Sequence, residues 1–403
     1  MAELIVWLGS KVVGELGSTG RRSASFRPAR PGIGLTIGAP DDGSTWTPEF
    51  TRAWFENLLP EEEPRSRIAA RFGLRSDDTW GLLEQIGWEC AGAVAVLPPG
   101  VTPRSGSYEP LTVDGFWSRL AELPARPYDR DAAVRMSLGG GQNKLLLARR
   151  QDGWEMPIDG APSTHILKPE PAYHPGLAMA EAWSLAVAAA ATRAAEVAVI
   201  AREGNLPVLS VTRFDRTVAD DGSVIRAHQE DFCQVLGLAP EIKYASHPVN
   251  PRLPSYRRIA AALERRASDP PAELLRLLEQ TTVNLAMGNT DAHAKNHSVF
   301  HAPAGDVSLT PIYDVAPTRA FIDQRHLALP VAGRFAIADI TRDHLVRESV
   351  TWGIPERAAT VTVTRVLDAM MEEGLRAGDS TFPSLDPRIR GVAVASMTRL
   401  ALS

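Results

Sequence analysis

Cysteine is nearly absent: the 403-residue chain has two, Cys90 and Cys233, far apart and in no metal-type spacing. That excludes a disulfide framework and a clustered zinc site, fits a reducing cytosol, and leaves core packing as their role. Charge of one sign is not in excess either. A net charge of -5 gives no bulk attraction to nucleic acid or to an anionic membrane, so any DNA binding would fall mainly to a partner. Long apolar runs are missing. The most apolar stretch, Ala182 to Thr192, is bounded by Glu181 and Arg193. It is too short to span a bilayer and reads as a buried helix. The N-terminus has no basic region followed by an apolar core and a small-residue cleavage site, so no export signal is read and a cytoplasmic location is expected. No internal repeat is evident. What remains, 44% hydrophobic and 23% charged residues, is ordinary globular composition, and the length calls for two or three domains.

Short β-type runs at Leu4–Leu8, Val12–Val13 and Gly32–Ile37 open the chain. Helical spacing comes next, over Pro48–Leu59, Arg65–Phe72 and Thr79–Ile86, which together predict a compact α+β module over residues 1–100. Pro98 to Pro110 has linker composition. A second region, 101–228, carries Val134–Leu138 and Leu145–Ala148 as strands around the glycine-rich run Gly139-Gly-Gly-Gln-Asn-Lys144. Such a hairpin either lays its amides over phosphates or simply turns the chain; it is neither a Walker A loop nor a G-x-G-x-x-G fingerprint, because no helix follows. Thr164–Pro169 reads as a strand carrying Lys168, Leu177–Ala195 as a helix carrying Glu181, and Leu206–Arg216 as a strand ending in a charged turn. A strand lysine followed by a helix glutamate suits a phosphate grip held by an ion pair, and equally suits two solvated charges. The third region, 229–403, is mainly helical, and its basic run Arg257, Arg258, Arg265 and Arg266 reads as a solvated helix face.

The amphipathic helix Glu273–Ala286 delivers Met287-Gly-Asn-Thr-Asp-Ala-His-Ala-Lys-Asn-His-Ser298, closed by Pro311-Ile-Tyr-Asp-Val315. Asp291 and Asn296 have the spacing of the base and the magnesium-binding amide of a protein-kinase catalytic loop, and Asp314 could be the second metal ligand. Phosphoryl transfer needs these types: a carboxylate takes the proton of the attacking hydroxyl while hard oxygens hold Mg²⁺ on the triphosphate. Alone, the spacing also describes a polar turn in which Asn289, Thr290 and Asp291 are caps. The order of glycine hairpin, strand lysine, helix glutamate, charged strand, D-x4-N loop and metal aspartate is what favours a kinase.

The wording of these motifs resembles the HipA family of bacterial serine/threonine kinases, toxins of type II toxin–antitoxin modules. The resemblance rests on Phe55-Glu-Asn-Leu-Leu-Pro60, Cys90-Ala-Gly-Ala-Val94, Ile166-Leu-Lys-Pro169, Arg213-Phe-Asp-Arg216, Gln229-Glu-Asp-Phe-Cys-Gln234, Gly288 to Asn296 and Tyr313-Asp-Val315. It implies an α+β, two-lobed kinase-like fold using ATP and Mg²⁺, with Asp291 as catalytic base and Asn296 and Asp314 as metal ligands. Gly139, Gly140, Gly141, Gln142, Asn143 and Lys144 would cover the phosphates and Lys168 would hold them. Thr212, Arg213 and Phe214 would form the adenine hinge, and His293, Ala294, Lys295, Tyr313 and Asp314 would line the nucleotide site. Ser137 matches the family's autophosphorylated serine. Here Gln-Asn precedes Lys144 where the family often has an acid, and Thr212 stands where an acid is frequent. Implied partners are a HipB-like helix-turn-helix antitoxin, operator DNA through it, a second toxin copy, and a protein substrate such as an aminoacyl-tRNA synthetase; no membrane is implied. A kinase-shaped co-repressor is the other reading.

Overall fold

A computed structural model describes residues 3–20, 23–123, 139, 142–150, 153–247, 250–302 and 305–403. Two compact units, each discontinuous in sequence, make up the chain. The first is Met1–Pro169, Ser210–Pro240 and Phe300–Gly305; the second is Glu170–Leu209, Glu241–Val299 and Asp306–Ser403. The first unit thus joins the expected 1–100 module to most of the expected 101–228 region.

In the first unit, strands Ser23–Pro28, Lys11–Gly20, Glu3–Leu8 and Val94–Leu97 lie in that order in an antiparallel sheet. Leu4 and Val6, then Ala24 and Phe26, alternate inward at the two-residue period of a half-buried strand. Helix Pro48–Glu56 starts where the Thr47 hydroxyl accepts the Phe50 N–H and Pro48 supplies a preset φ. Its Trp54 and Phe55 pack edge-on at 4.9 Å, and Phe26 packs against Trp46 at 4.5 Å, forming an aromatic core. Gly14 is required beneath it, since a Cβ there would lie 2.4 Å from the Phe26 ring.

Gly32–Ile37, expected as a strand, is an irregular loop. Gly32 and Gly34 take φ of +68° and +65°, which breaks the extended run. The loop's polar groups go to a buried carboxylate instead: Glu230 accepts from the Thr36 hydroxyl at 2.6 Å, the Ile37 N–H at 2.7 Å, the Trp54 indole at 3.0 Å and His301 at 2.9 Å. A second sheet runs Ser107–Pro110, Gly153–Ile158, Leu145–Arg150, His165–Pro169, with Leu145 opposite Leu167. Gln229–Leu236, expected as helical, divides into strand His228–Asp231 and helix Phe232–Leu236, where Asp231 and Gln234 form a reciprocal capping box.

The second unit is mainly helical. Helix Leu177–Ala188 is buried almost all round and stops seven residues before the expected Ala195. Its continuation is drawn away by backbone pairing, in which the Ala195 N–H donates to the Ile312 carbonyl at 2.9 Å and the Ile312 N–H to the Arg193 carbonyl at 2.8 Å. Helix Pro270–Met287 is bounded by the Asp269 cap, Pro270 and a left-handed Gly288 at φ +73°. The Glu273 carboxylate and the Gln280 amide bind the Leu309 N–H at 2.8 Å and the Thr310 carbonyl at 2.9 Å. Helices Tyr256–Arg266, Glu356–Ala369 and Pro387–Ala401 pack around it. The chemistry-bearing loop is therefore mounted on a central, doubly anchored element. Arg257, Arg265 and Arg266 are exposed on their helix, as its charge pattern predicts. Among the described residues no helix is long and apolar enough to cross a membrane.

Candidate active site

Gly288 turns the chain out of its helix, and Asn289 fixes the course of the loop. Its amide donates to the Asn284 side chain at 2.7 Å and to the Asp314 carbonyl at 3.4 Å, while its oxygen accepts the Asp291 N–H at 3.1 Å. Thr290 is held by Thr318 at 2.8 Å and by the Ala328 N–H on its carbonyl at 2.8 Å. With Asn289 and Thr290 tied, the chain is held as it enters Asp291. The Asp291 carbonyl then accepts the His293 N–H at 2.8 Å and the Asn296 side-chain amide at 3.1 Å, so the two ends of the D-x4-N motif meet. Asn296 is buried, and with its N–H₂ on that carbonyl its remaining polar atom is an oxygen.

One Asp291 carboxylate oxygen accepts the Tyr244 hydroxyl at 3.0 Å. Tyr313 donates to the Lys295 carbonyl at 2.7 Å and bonds Ser298 at 2.5 Å, which braces the far side of the loop. The next residue, Asp314, is exposed and adopts φ +58°, a left-handed conformation that Asp tolerates better than most side chains. His293, Ala294 and Lys295 are buried. Burial pushes the neighbouring His297 down to about 4; neither ring nitrogen has a partner, and its ring meets Tyr256 edge-on at 5.7 Å.

The donor set fits Mg²⁺. It comprises hard oxygens, one carboxylate and one amide, and Mg²⁺ keeps several waters and takes its other ligands from phosphates. A cage of three or more His, Cys, Asp or Glu is neither needed nor found among the described residues.

The remaining expected residues lie in the first unit, except Glu181, which is buried on helix Leu177–Ala188 in the second. Lys168 is half-buried near the end of its strand. The Gln142 amide reaches the adjacent Pro169 carbonyl at 3.5 Å, and the Lys144 ammonium folds back onto the Gly139 carbonyl. Asn143 is half-buried between them. Gly140, Gly141, Ser137 and the strand expected at 134–138 lie outside the described residues. Arg213 makes a buried ion cluster: its guanidinium meets Glu89 at 2.9 Å and Asp215 at 2.8 Å, and its N–H goes to the Thr164 carbonyl at 2.9 Å. Thr212 faces His165 at 3.4 Å, and Phe214 packs edge-on against Phe300 at 5.4 Å. Sequence reasoning missed Tyr244, for which no spacing gave a signal, and gave Asn289 no part beyond that of a cap in the alternative reading of the loop.

Family models decide what this arrangement belongs to. The HipA N-terminal domain matches residues 4–97 and the HipA-like C-terminal domain matches residues 136–373. The chain belongs to the HipA family. Y4mE of Sinorhizobium fredii, a candidate kinase by its name, is 30% identical over 94% of this chain and 92% of its own. The serine/threonine-protein kinase toxin HipA of Shewanella oneidensis is 28% identical over 83% of this chain and 78% of its own. The solved structure of HipA from Shewanella oneidensis MR-1, described as a complex of HipA, HipB and operator DNA, superposes with a TM-score of 0.82 at 25% identity, covering 99% of this chain and 96% of that one. The α+β HipA fold expected from the motifs is the fold adopted, and by the names its relatives carry the HipA family is one of kinases.

Proposed function

We propose that the chain is an ATP- and Mg²⁺-dependent serine/threonine protein kinase acting as the toxin of a toxin–antitoxin pair. The observation that carries this is the joined loop: Asp291 and Asn296 bonded to each other, with Asp314 tied in through Asn289. Asp291 takes the proton of an acceptor serine or threonine hydroxyl as that oxygen bonds to the γ-phosphorus and the bond to the bridging oxygen of ADP breaks. Asn296 and Asp314 would hold Mg²⁺, which neutralises phosphate charge when bound. Gly139 to Lys144 and Lys168 would bind the phosphates, and Ser137 would be the site of autophosphorylation.

The antitoxin is a HipB-like helix-turn-helix protein, a partnership supported by the relative solved with HipB and operator DNA. Operator contact comes through that antitoxin, consistent with the chain's own net charge of -5. A second toxin copy belongs to the same complex. The protein substrate is a translation component such as an aminoacyl-tRNA synthetase, and the work is done in the cytoplasm. Asp291→Asn tests the chemistry. It should keep ATP·Mg²⁺ binding and lose transfer by roughly 10²-fold or more, because the base goes while the metal ligands stay. Phosphoproteomics after expression of the wild type and this variant identifies the substrate; transfer at the wild-type rate would sink the assignment.

A further inference from the structure

Tyr244 stands over the loop from a distant part of the chain. It is 40% exposed, yet the backbone on both sides is pinned: the Lys243 carbonyl accepts the Ala294 N–H at 3.2 Å, and the Ala245 N–H donates to the Ala328 carbonyl at 2.9 Å. Its ring meets His293 nearly perpendicular at 5.2 Å. The hydroxyl lies 3.0 Å from Asp291 Oδ1. A general base must come within about 2.6–3.2 Å of the hydroxyl whose proton it removes. The phenol therefore takes, on that oxygen, a place of the kind an acceptor hydroxyl would take, and it is presented by the protein itself.

We propose that Tyr244 is an acceptor-site gate, an internal hydroxyl that holds the substrate's place on Asp291 and must be displaced before transfer. This rests on the reading of Asp291 as the base. The function of such a gate comes from competition. While the phenol is seated, water and chance hydroxyls are kept off the base, and only a substrate with enough binding energy elsewhere opens it. The ring is 40% exposed, and displacing it would break its contacts with His293 and with the Lys243 ammonium 5.5 Å from its centroid. An acceptor binds with its apparent affinity reduced by the fraction of molecules in which the gate is shut.

The test uses water as acceptor, so no protein substrate is needed. Steady-state ATP hydrolysis with Mg²⁺ is measured for the full-length wild type, Tyr244→Phe, Tyr244→Leu, Asp291→Asn and the Tyr244→Phe/Asp291→Asn double variant, with ATP binding followed by calorimetry. Tyr244→Phe keeps the ring and removes only the hydroxyl. Its kcat should rise about threefold or more, the rough equivalent of a partly exposed hydrogen bond to a charged group, while the KM for ATP stays unchanged. Tyr244→Leu should move the same way, and Asp291→Asn should abolish hydrolysis in both backgrounds. A kcat for Tyr244→Phe equal to or below the wild type, with ATP still bound, overturns the gate and leaves the base in place. Hydrolysis that persists in Asp291→Asn overturns the base itself.

Discussion

Replacing Glu89 with Gln should destabilise the first unit by about 3–5 kcal/mol. Glu89 is fully buried, and accepts Arg213 Nη1 at 2.9 Å, Arg216 Nη2 at 2.6 Å and the Ser163 hydroxyl at 3.3 Å. Asp215, also buried, takes the other arms of both guanidinium groups at 2.8 Å and the Gly92 N–H at 2.8 Å. Arg226 closes the group through the Val94 carbonyl at 2.7 Å, with burial and then Arg216 pushing it down to about 10. Burial alone would raise Glu89, but Arg213, Arg216 and Arg226 outweigh it and hold the carboxyl below its ordinary range. Three guanidinium groups thus face two carboxylates. The Gln variant leaves three facing one, with almost no change in volume, so the loss is electrostatic. On a unit of this size the thermal midpoint should fall on the order of 10 °C. Arg216→Met in the same chain should recover part of it, because an unpaired buried charge costs more than an absent pair. A midpoint within about 1 °C of the wild type would refute the reasoning, since a dry cluster has to register the missing charge.

Acid should loosen the protein before its carboxylates titrate. Burial holds His297 near 4 in the fold against an ordinary 6.5, so its stabilising neutral form is complete above about pH 6.5 and the benefit is lost as pH falls toward 4; that gap is worth about 3 kcal/mol. Melting curves of His297→Phe should show a larger gain over wild type at pH 5 than at pH 8, and equal gains would count against this account. Asp314→Asn should keep the fold, because Asn accepts φ +58°, while Mg²⁺-dependent ATP binding weakens about tenfold. Calorimetry with and without Mg²⁺ checks it, and unchanged affinity removes Asp314 from the metal site. Deleting residues 1–97 should unfold what remains of the first unit, since Arg213, Asp215, Arg216 and Glu230 would lose their buried partners. A truncated protein that stays monodisperse and melts cooperatively contradicts that.

Local chemistry was legible in the sequence, and long-range pairing was not. Helix Pro270–Met287 announces itself by Asp269, Pro270 and Gly288, and the Asp291–Asn296 contact spans five positions, so spacing carries it. The β-type composition of short runs gave Leu4–Leu8, but read Gly32–Ile37 as a strand because nothing local reveals that Glu230, nearly two hundred positions on, collects that loop's donors. Composition ran the alanine-rich helix to Ala195, where pairing with Ile312 decides otherwise. Tyr244 meets Asp291 across 47 positions, and no periodicity links them.

The words that mark the family outside the catalytic loop prove to be joints. In Phe55-Glu-Asn-Leu-Leu-Pro60, buried Glu56 takes Arg65 at 2.9 Å and Arg52 at 3.0 Å, and the Asn57 amide reaches the Ala53 and Leu238 carbonyls at 2.8 Å each. In Gln229-Glu-Asp-Phe-Cys-Gln234, Glu230 binds Trp54, and the Gln234 amide binds the Trp54 carbonyl at 3.3 Å. Arg213-Phe-Asp-Arg216 and Cys90-Ala-Gly-Ala-Val94 meet in the buried ion cluster. Each is a buried polar group whose partner lies outside its own word, so losing either side strands the other in a dry interior. Such groups tolerate few substitutes, which makes them as readable as catalytic residues while carrying no chemistry. Burial separates the two kinds of word at their ends, where Asp314 is exposed and Arg213 is closed inside an ion cluster.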